Sequence, residues 1–175
     1  MNAQDILKYG HRTVLRAIDG LPDQEWETGG VCGVWSVKDI IAHLASYEHV
    51  LEEVLSSFQS DSAMPSSSAG GSATPTLNAF IAPGGQFNDS QVALRKLSSH
   101  ADVLAEYTGV HARVSALAAQ IPAEILSRAG TLPWYGLEYA LDDLIVYAFY
   151  GHKREHCAQI TVFRDRLASK TSIEQ

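Results

Sequence analysis

His152 and His156 stand four residues apart in the stretch between Leu141 and Ile160. On a helix, side chains at i and i+4 share one face with Cβ atoms about 5–6 Å apart, so both imidazoles can address one point. That arrangement suits a divalent transition metal, and imidazole serves Zn²⁺ and Ni²⁺ alike. Two neutral imidazoles rarely fill such a shell, so at least one more ligand must come from another part of the chain. The competing reading is a pair of core histidines hydrogen-bonded to Tyr147, Glu155 or the backbone.

The stretch itself has helical period. Leu141, Ile145, Ala148, Gln159 or Ile160, and Phe163 form the inward stripe, and both histidines fall within it. Five further histidines compete for the third position: His11, His43, His49, His100 and His111. At 100° per residue, His43 lies at the rim of a stripe formed by Ile41, Leu44, Leu51 and Leu55, in line with Tyr47, Val50 and Val54. A rim position reaches across to a neighbouring helix. His49 lies on roughly the opposite side, while His100 and His111 have no cofacial histidine, so all three are expected at the surface. Glu48 lies near the centre of the same stripe. A buried carboxylate needs a partner, and Arg16 or Arg154 is the expected one. Cys157 points about 100° away from His156 and reads as packing.

The elements that must position these residues follow from the same patterns. Ile6, Tyr9, Val14 and Ile18 predict a helix over 3–18, closed by Gly20 and Pro22. Glycines between Thr28 and Val34 mark a turning loop. Ser36, followed three residues later by Asp39, reads as a helix N-cap, and Val37, Ile40, Ile41, Leu44, Leu51 and Leu55 carry that helix over 36–56. From Ser56 to Pro75 serine, alanine, glycine and proline dominate, which predicts a long mobile loop, and Phe80 to Phe87 continues it as an irregular segment. A third helix is expected over 89–120, with Val92, Leu97, Val103, Leu104, Tyr107, Val110, Val114 and Leu117 inward and Pro122 as its end. Leu132 to Gly136 reads as a turn that places Trp134 and Tyr135 near a pocket mouth. The last helix spans 139–167. No strand pattern competes, so the expected fold is all-α: an antiparallel four-helix bundle forming a single domain over 1–175.

Composition agrees with one ordinary globule. The chain has 175 residues, 46% hydrophobic and 19% charged, with a formal net charge of −7. No basic stripe is interleaved with aromatics, which argues against nucleic acid, and an anionic membrane surface is no better matched. The N-terminus lacks the basic and apolar regions of a secretory leader, so a cytoplasmic location is expected. Cys32 and Cys157 form neither a CxxC pair nor a disulfide framework, which suits a reducing compartment.

The stretch from Trp35 to Glu48, with Ser36, Asp39 and the run His43, Leu44, Ala45, followed much later by Gly151, His152 and His156, resembles the DinB-like superfamily. Its members are four-helix bundles with a three-histidine metal site, one histidine from the second helix and two from an HxxxH on the last. The resemblance implies that His43, His152 and His156 bind a metal, and it further implies a homodimer. Three imidazoles leave a coordination position open, which is the mark of catalytic rather than closed structural sites. A metal-dependent hydrolase acting on a small electrophilic substrate is the first expectation, with Glu155, Tyr47 and Asp142 as candidate acid or base groups. The family also implies a low-molecular-weight-thiol S-transferase, or a metal-binding stress-response protein without turnover.

Overall fold

The computed structural model describes residues 2–59 and 74–173, with side chains through 169. Among them every regular element is helical. The first helix, α1 (Ala3–Ile18), starts where the Asn2 side chain accepts from the Gln4 amide at 2.9 Å. It buries Ala3, Ile6, Leu7, Gly10, Val14, Ala17 and Ile18, a stripe of alternating three- and four-residue steps. Tyr9, expected inward, lies off that stripe and is 53% exposed.

The second helix, α2 (Val37–Ser56), begins at a reciprocal cap: the Asp39 amide donates to Ser36 Oγ at 3.2 Å and the Ser36 amide donates to Asp39 Oδ2 at 2.9 Å. Fourteen of its twenty residues are buried, so this helix has neighbours on most of its sides. Fully buried Ile40, Ile41, Leu44, Leu51 and Leu55 each contribute about 1.5–3 kcal/mol of apolar burial. Ahead of it, the Trp35 amide donates back to the Cys32 carbonyl at 2.9 Å through a tight turn in which Gly33 takes φ +58°, a region that side chains with Cβ avoid.

Residues 60–73, the greater part of the loop expected over Ser56–Pro75, lie outside the described residues. Beyond them stand two short helices: α3 (Pro75–Ile81), whose end enters the segment expected to be irregular, and α4 (Phe87–Leu94), which falls at the start of the helix expected over 89–120. The Glu53 carboxylate accepts from the Thr76 and Leu77 amides, at 3.1 and 2.7 Å, so α2 itself caps the start of α3.

The helix expected over 89–120 is two helices. After α4 the chain turns through 95–99 before α5 (His100–Ala118), and three contacts explain the break. Ser99 Oγ accepts from the Asp102 amide at 3.1 Å, a fresh N-cap. Arg95 folds back to grip Glu106 with two nitrogens, at 2.8 and 2.6 Å. Lys38 Nζ, reaching from α2, donates to the freed carbonyls of Lys96 and Ser98, each at 3.3 Å. Leu97, expected inward, is therefore wholly exposed.

A short α6 (Ala123–Leu126) leads into the turn carrying Trp134 and Tyr135. Gly136 there has φ +139°, and a Cβ would come within 2.8 Å of the Tyr139 ring. The last helix starts as α7 (Leu141–Leu144), widens into a π-helical segment (Ile145–Gly151) and continues as α8 (His152–Ile173). It begins two residues later and runs farther than the expected 139–167. The most extensive packing joins α2 to α5; α1 packs along α8 and the π-helical segment. α1 also meets α5, and α2 meets α8 over a shorter seam. None of the described helices is long and apolar enough to cross a membrane.

These contacts predict that Ser99→Ala lowers the unfolding free energy by about 1 kcal/mol in urea denaturation. Leu97→Ser is expected to change it by less than about 0.5 kcal/mol. A loss of about 2 kcal/mol or more at Leu97 would show that α4 and α5 are one continuous helix with that residue in the core.

Candidate metal centre

His43 comes from the first half of α2, and His152 and His156 from the first two turns of α8. The structure brings the three together. His43 Nε2 lies 2.8 Å from His152 Nε2, which lies 2.9 Å from His156 Nε2. One ring nitrogen from each falls within 4.8 Å of the other two. His43 and His156 are buried and His152 is half-buried.

Electrostatics keep this cluster neutral. Burial, reinforced by the neighbouring imidazoles, lowers the His43 pKa to about 3. Burial, with His156 and Lys153 beside it, lowers His152 to about 4, and burial also lowers His156. His156 Nδ1 lies 2.8 Å from Gln159 Oε1, and since that oxygen can only accept, the ring proton is on Nδ1. The His156 Nε2 lone pair then faces the other two rings. Neutral His152 has one proton at most to place among two neighbouring nitrogens, so the cluster has more converging lone pairs than protons. A cation removes that repulsion. The two short separations, 2.8 and 2.9 Å, fall about half an ångström below the roughly 3.3 Å that tetrahedral coordination with bonds of about 2.0–2.1 Å sets. The donor set could therefore hold a metal ion. Gln159 supplies the outer hydrogen bond usual for a ligating histidine, whereas His43 Nδ1 and His152 Nδ1 are buried with no hydrogen-bond partner among the described residues.

Aromatic side chains wall the triad. The Trp35 ring, presented by the turn ahead of α2, lies 4.9 Å from His43 and 6.4 Å from His156. The Tyr47 ring lies 4.8 Å from His43 and 4.3 Å from His152. Tyr47 in turn meets Phe80 of α3 at 5.4 Å and Phe87 of α4 at 5.9 Å, and its hydroxyl is 3.4 Å from Asn88 Oδ1. Phe80 continues the wall to Trp134 at 6.5 Å, edge to face. The turn carrying Trp134 is thereby linked to the triad through Phe80 and Tyr47. Phe80 and Phe87 were not among the residues singled out. Their signal was local: aromatics at the ends of a segment read as irregular.

Of the candidate acid and base groups, Tyr47 is the one in ring contact with the triad, with its pKa raised by burial. Glu155 is exposed and acts on His156 through its charge. Asp142 stands ten residues before His152, on the far side of the π-helical segment, with its pKa raised by burial. A hollow of about 590 Å³ between Gly30, Phe163 and Arg166 contains none of the three histidines.

The remaining histidines correct the surface expectation. His49 is half-buried between Glu52, at 3.4 Å, and Glu106, at 2.9 Å. His100 is half-buried against Trp26, with ring centroids 4.8 Å apart. His111 is buried, its Nδ1 donating to Glu48 Oε2 at 3.2 Å. A helical wheel orders residues around their own helix but not around its neighbours. The partner expected for Glu48 is likewise corrected: its Oε1 pairs with Lys153 Nζ, while Arg154 packs on Tyr150 and Arg16 is exposed. Burial alone would raise the Glu48 carboxyl, but Lys153 and His111 outweigh it and hold it below the usual carboxylate range. Cys157 is buried as expected, and burial raises its thiol to about 11.

In chelator-treated protein, unfolding free energy is expected to fall as pH drops from about 6.5 to about 5. Unfolded imidazoles take up protons near their ordinary pKa of about 6.5, whereas folded His43 and His152 refuse them until about 3 and 4. Carboxylates are mostly ionised in both states over that window, so the slope belongs to the histidines, His11 and His156 included. A His43→Asn/His152→Asn variant should show a shallower slope. An unchanged slope would contradict the neutral, buried triad.

Comparison with curated proteins and with solved structures returned no match. The family model of the DinB superfamily matches residues 6–160, a span that takes in most of α1, all of α2 and α5, and all three converging histidines. On that match the chain belongs to the DinB superfamily.

Proposed function

We propose that His43, His152 and His156 bind one divalent transition metal, zinc or nickel, and that the protein is a metal-dependent hydrolase acting on a small electrophilic substrate. The observation that carries this reading is the convergence of three neutral imidazoles, one of them fixed by Gln159 with its lone pair facing the others. Bound there, the metal supplies the Lewis acidity that makes water a nucleophile near neutral pH. The protein's own residues do the rest. Three histidines leave a position for water or substrate, and Tyr47, whose ring lies 4.3 Å from that of His152, is the group we assign to donate a proton or a hydrogen bond to a developing oxyanion. Trp35, Phe80 and Phe87 exclude bulk water from that neighbourhood and favour a substrate with an apolar body. This wall supports hydrolysis over transfer of a low-molecular-weight thiol, whose sugar or peptide portion calls for a polar cleft. The four long helices, α1, α2, α5 and the π-widened α7–α8, are read as an antiparallel four-helix bundle forming one domain around the site.

The test has two parts. Purified wild-type protein should carry close to one equivalent of zinc or nickel, and His152→Ala should lose it. On a panel of esters, lactams and epoxides, wild type should turn over without added thiol and His156→Ala should lose about 10²-fold or more. Activity seen only with a thiol present would favour the S-transferase, and stoichiometric metal without turnover would favour a non-catalytic metal-binding role. Activity independent of metal and of all three histidines would end the reading.

A further inference from the structure

Glu48 has no exposed surface, yet it carries a charge that must be matched inside the core. Its Oε1 pairs with Lys153 Nζ and its Oε2 accepts from His111 Nδ1. His111 is stacked face to face on His11, with ring centroids 4.1 Å apart. Lys153 Nζ lies 5.7 Å from the centroid of the Tyr107 ring. Gly10 makes room for the lysine stem, since a Cβ there would lie 3.3 Å from Lys153 Cδ. All four long helices thus send a polar side chain to one node: His11 from α1, Glu48 from α2, His111 from α5 and Lys153 from α8.

The position of this node is informative. Lys153 follows His152 directly, and Glu48 comes five residues after His43. The helices themselves pack chiefly as two pairs, α2 with α5 and α1 with α8, while α2 and α8 share the shorter seam. His43 belongs to the first pair and His152 and His156 to the second. Apolar contact is non-directional and tolerates a slip between pairs. A buried ion pair does not, because displacement by one helical turn, about 5.4 Å, would leave both charges unmatched in the core.

We propose that the Glu48–Lys153 ion pair, braced by His111, is a positioning device for the metal site: it sets the register of α8 on α2, so that His152 and His156 meet His43. Its contribution is to the geometry of the triad more than to net stability, since buried ion pairs replaced by apolar residues of similar volume often cost nothing. The inference rests on the metal-site reading proposed above.

The experiment is Co²⁺ titration of chelator-treated protein, following the ligand-field absorption, with urea denaturation of the same samples. Lys153→Met alone strands a buried carboxylate and is expected to unfold readily, so the informative variant is Glu48→Leu/Lys153→Met. The proposal predicts a cooperatively folded double variant with stability near that of wild type, Co²⁺ affinity reduced about 10-fold or more, and an altered ligand-field spectrum. A folded double variant with wild-type affinity and spectrum would overturn it. A double variant that no longer folds would also overturn it, by making the pair a general requirement of the core. Failure of wild type to bind Co²⁺ at all would instead remove the metal-site reading.

Discussion

His43 belongs to α2, whose main packing partner is α5, while His152 and His156 belong to α8, which packs chiefly on α1. The candidate site exists only where these two helix pairs meet in one register. Three imidazole nitrogens must then share a volume whose burial keeps them uncharged, and the two short separations, 2.8 and 2.9 Å, leave little tolerance for a slip along the seam. The rest of the molecule reads as support for that meeting. The reciprocal cap at Ser36 and Asp39 fixes where α2 begins, and the turn ahead of it sets Trp35 against His43. Glu53, one helix-length along, caps α3 and so holds Phe80 over Tyr47.

Burial does chemical work at this seam. The desolvation that lowers the histidine pKa values toward 3 and 4 also keeps the lone pairs free at neutral pH, which is the state a metal ligand needs. One turn away the same desolvation acts on Glu48, where Lys153 and His111 overcome it. Two neighbouring polar clusters in one core are thus held in opposite charge states: neutral donors in the triad, and an ionised, matched pair in the node. Tyr107 shows what an unmatched group does in such surroundings. Its hydroxyl is buried with no hydrogen-bond partner among the described residues, and its pKa is raised well above the ordinary value, first by burial and then by the Glu48 charge.

Much of this was legible in the residues. The boundaries of α1 and α2 follow from caps and an apolar period that lie within a few residues of one another, and the three converging histidines follow from spacing, stripe position and the family pattern together. What failed was set by contacts distant in sequence. The chain from 89 to 120 has a nearly continuous helical pattern, and the break at 95–99 is held by Lys38 and Glu106, which no local window includes. Ser99 followed by Asp102 was a readable cap signal there. Leu97 misled because an apolar residue in a turn looks the same as one in a stripe. The π-helical segment before His152 carries no clear sequence mark. Phe149, four residues after Ile145, is buried there, and Ala148, expected inward, is half-buried against the same core. His111 and Lys153 were missed as partners of Glu48 because their burial depends on which helix lies opposite.

On the function proposed above, His43, His152 and His156 together hold one metal ion. Crystals grown with Zn²⁺ or Ni²⁺, measured on both sides of the metal's absorption edge, test it most directly. The account predicts a single anomalous peak about 2.0–2.1 Å from a ring nitrogen of each of His43, His152 and His156. A peak bound elsewhere, or a fully ordered triad with no anomalous density between its rings at saturating metal, would contradict it.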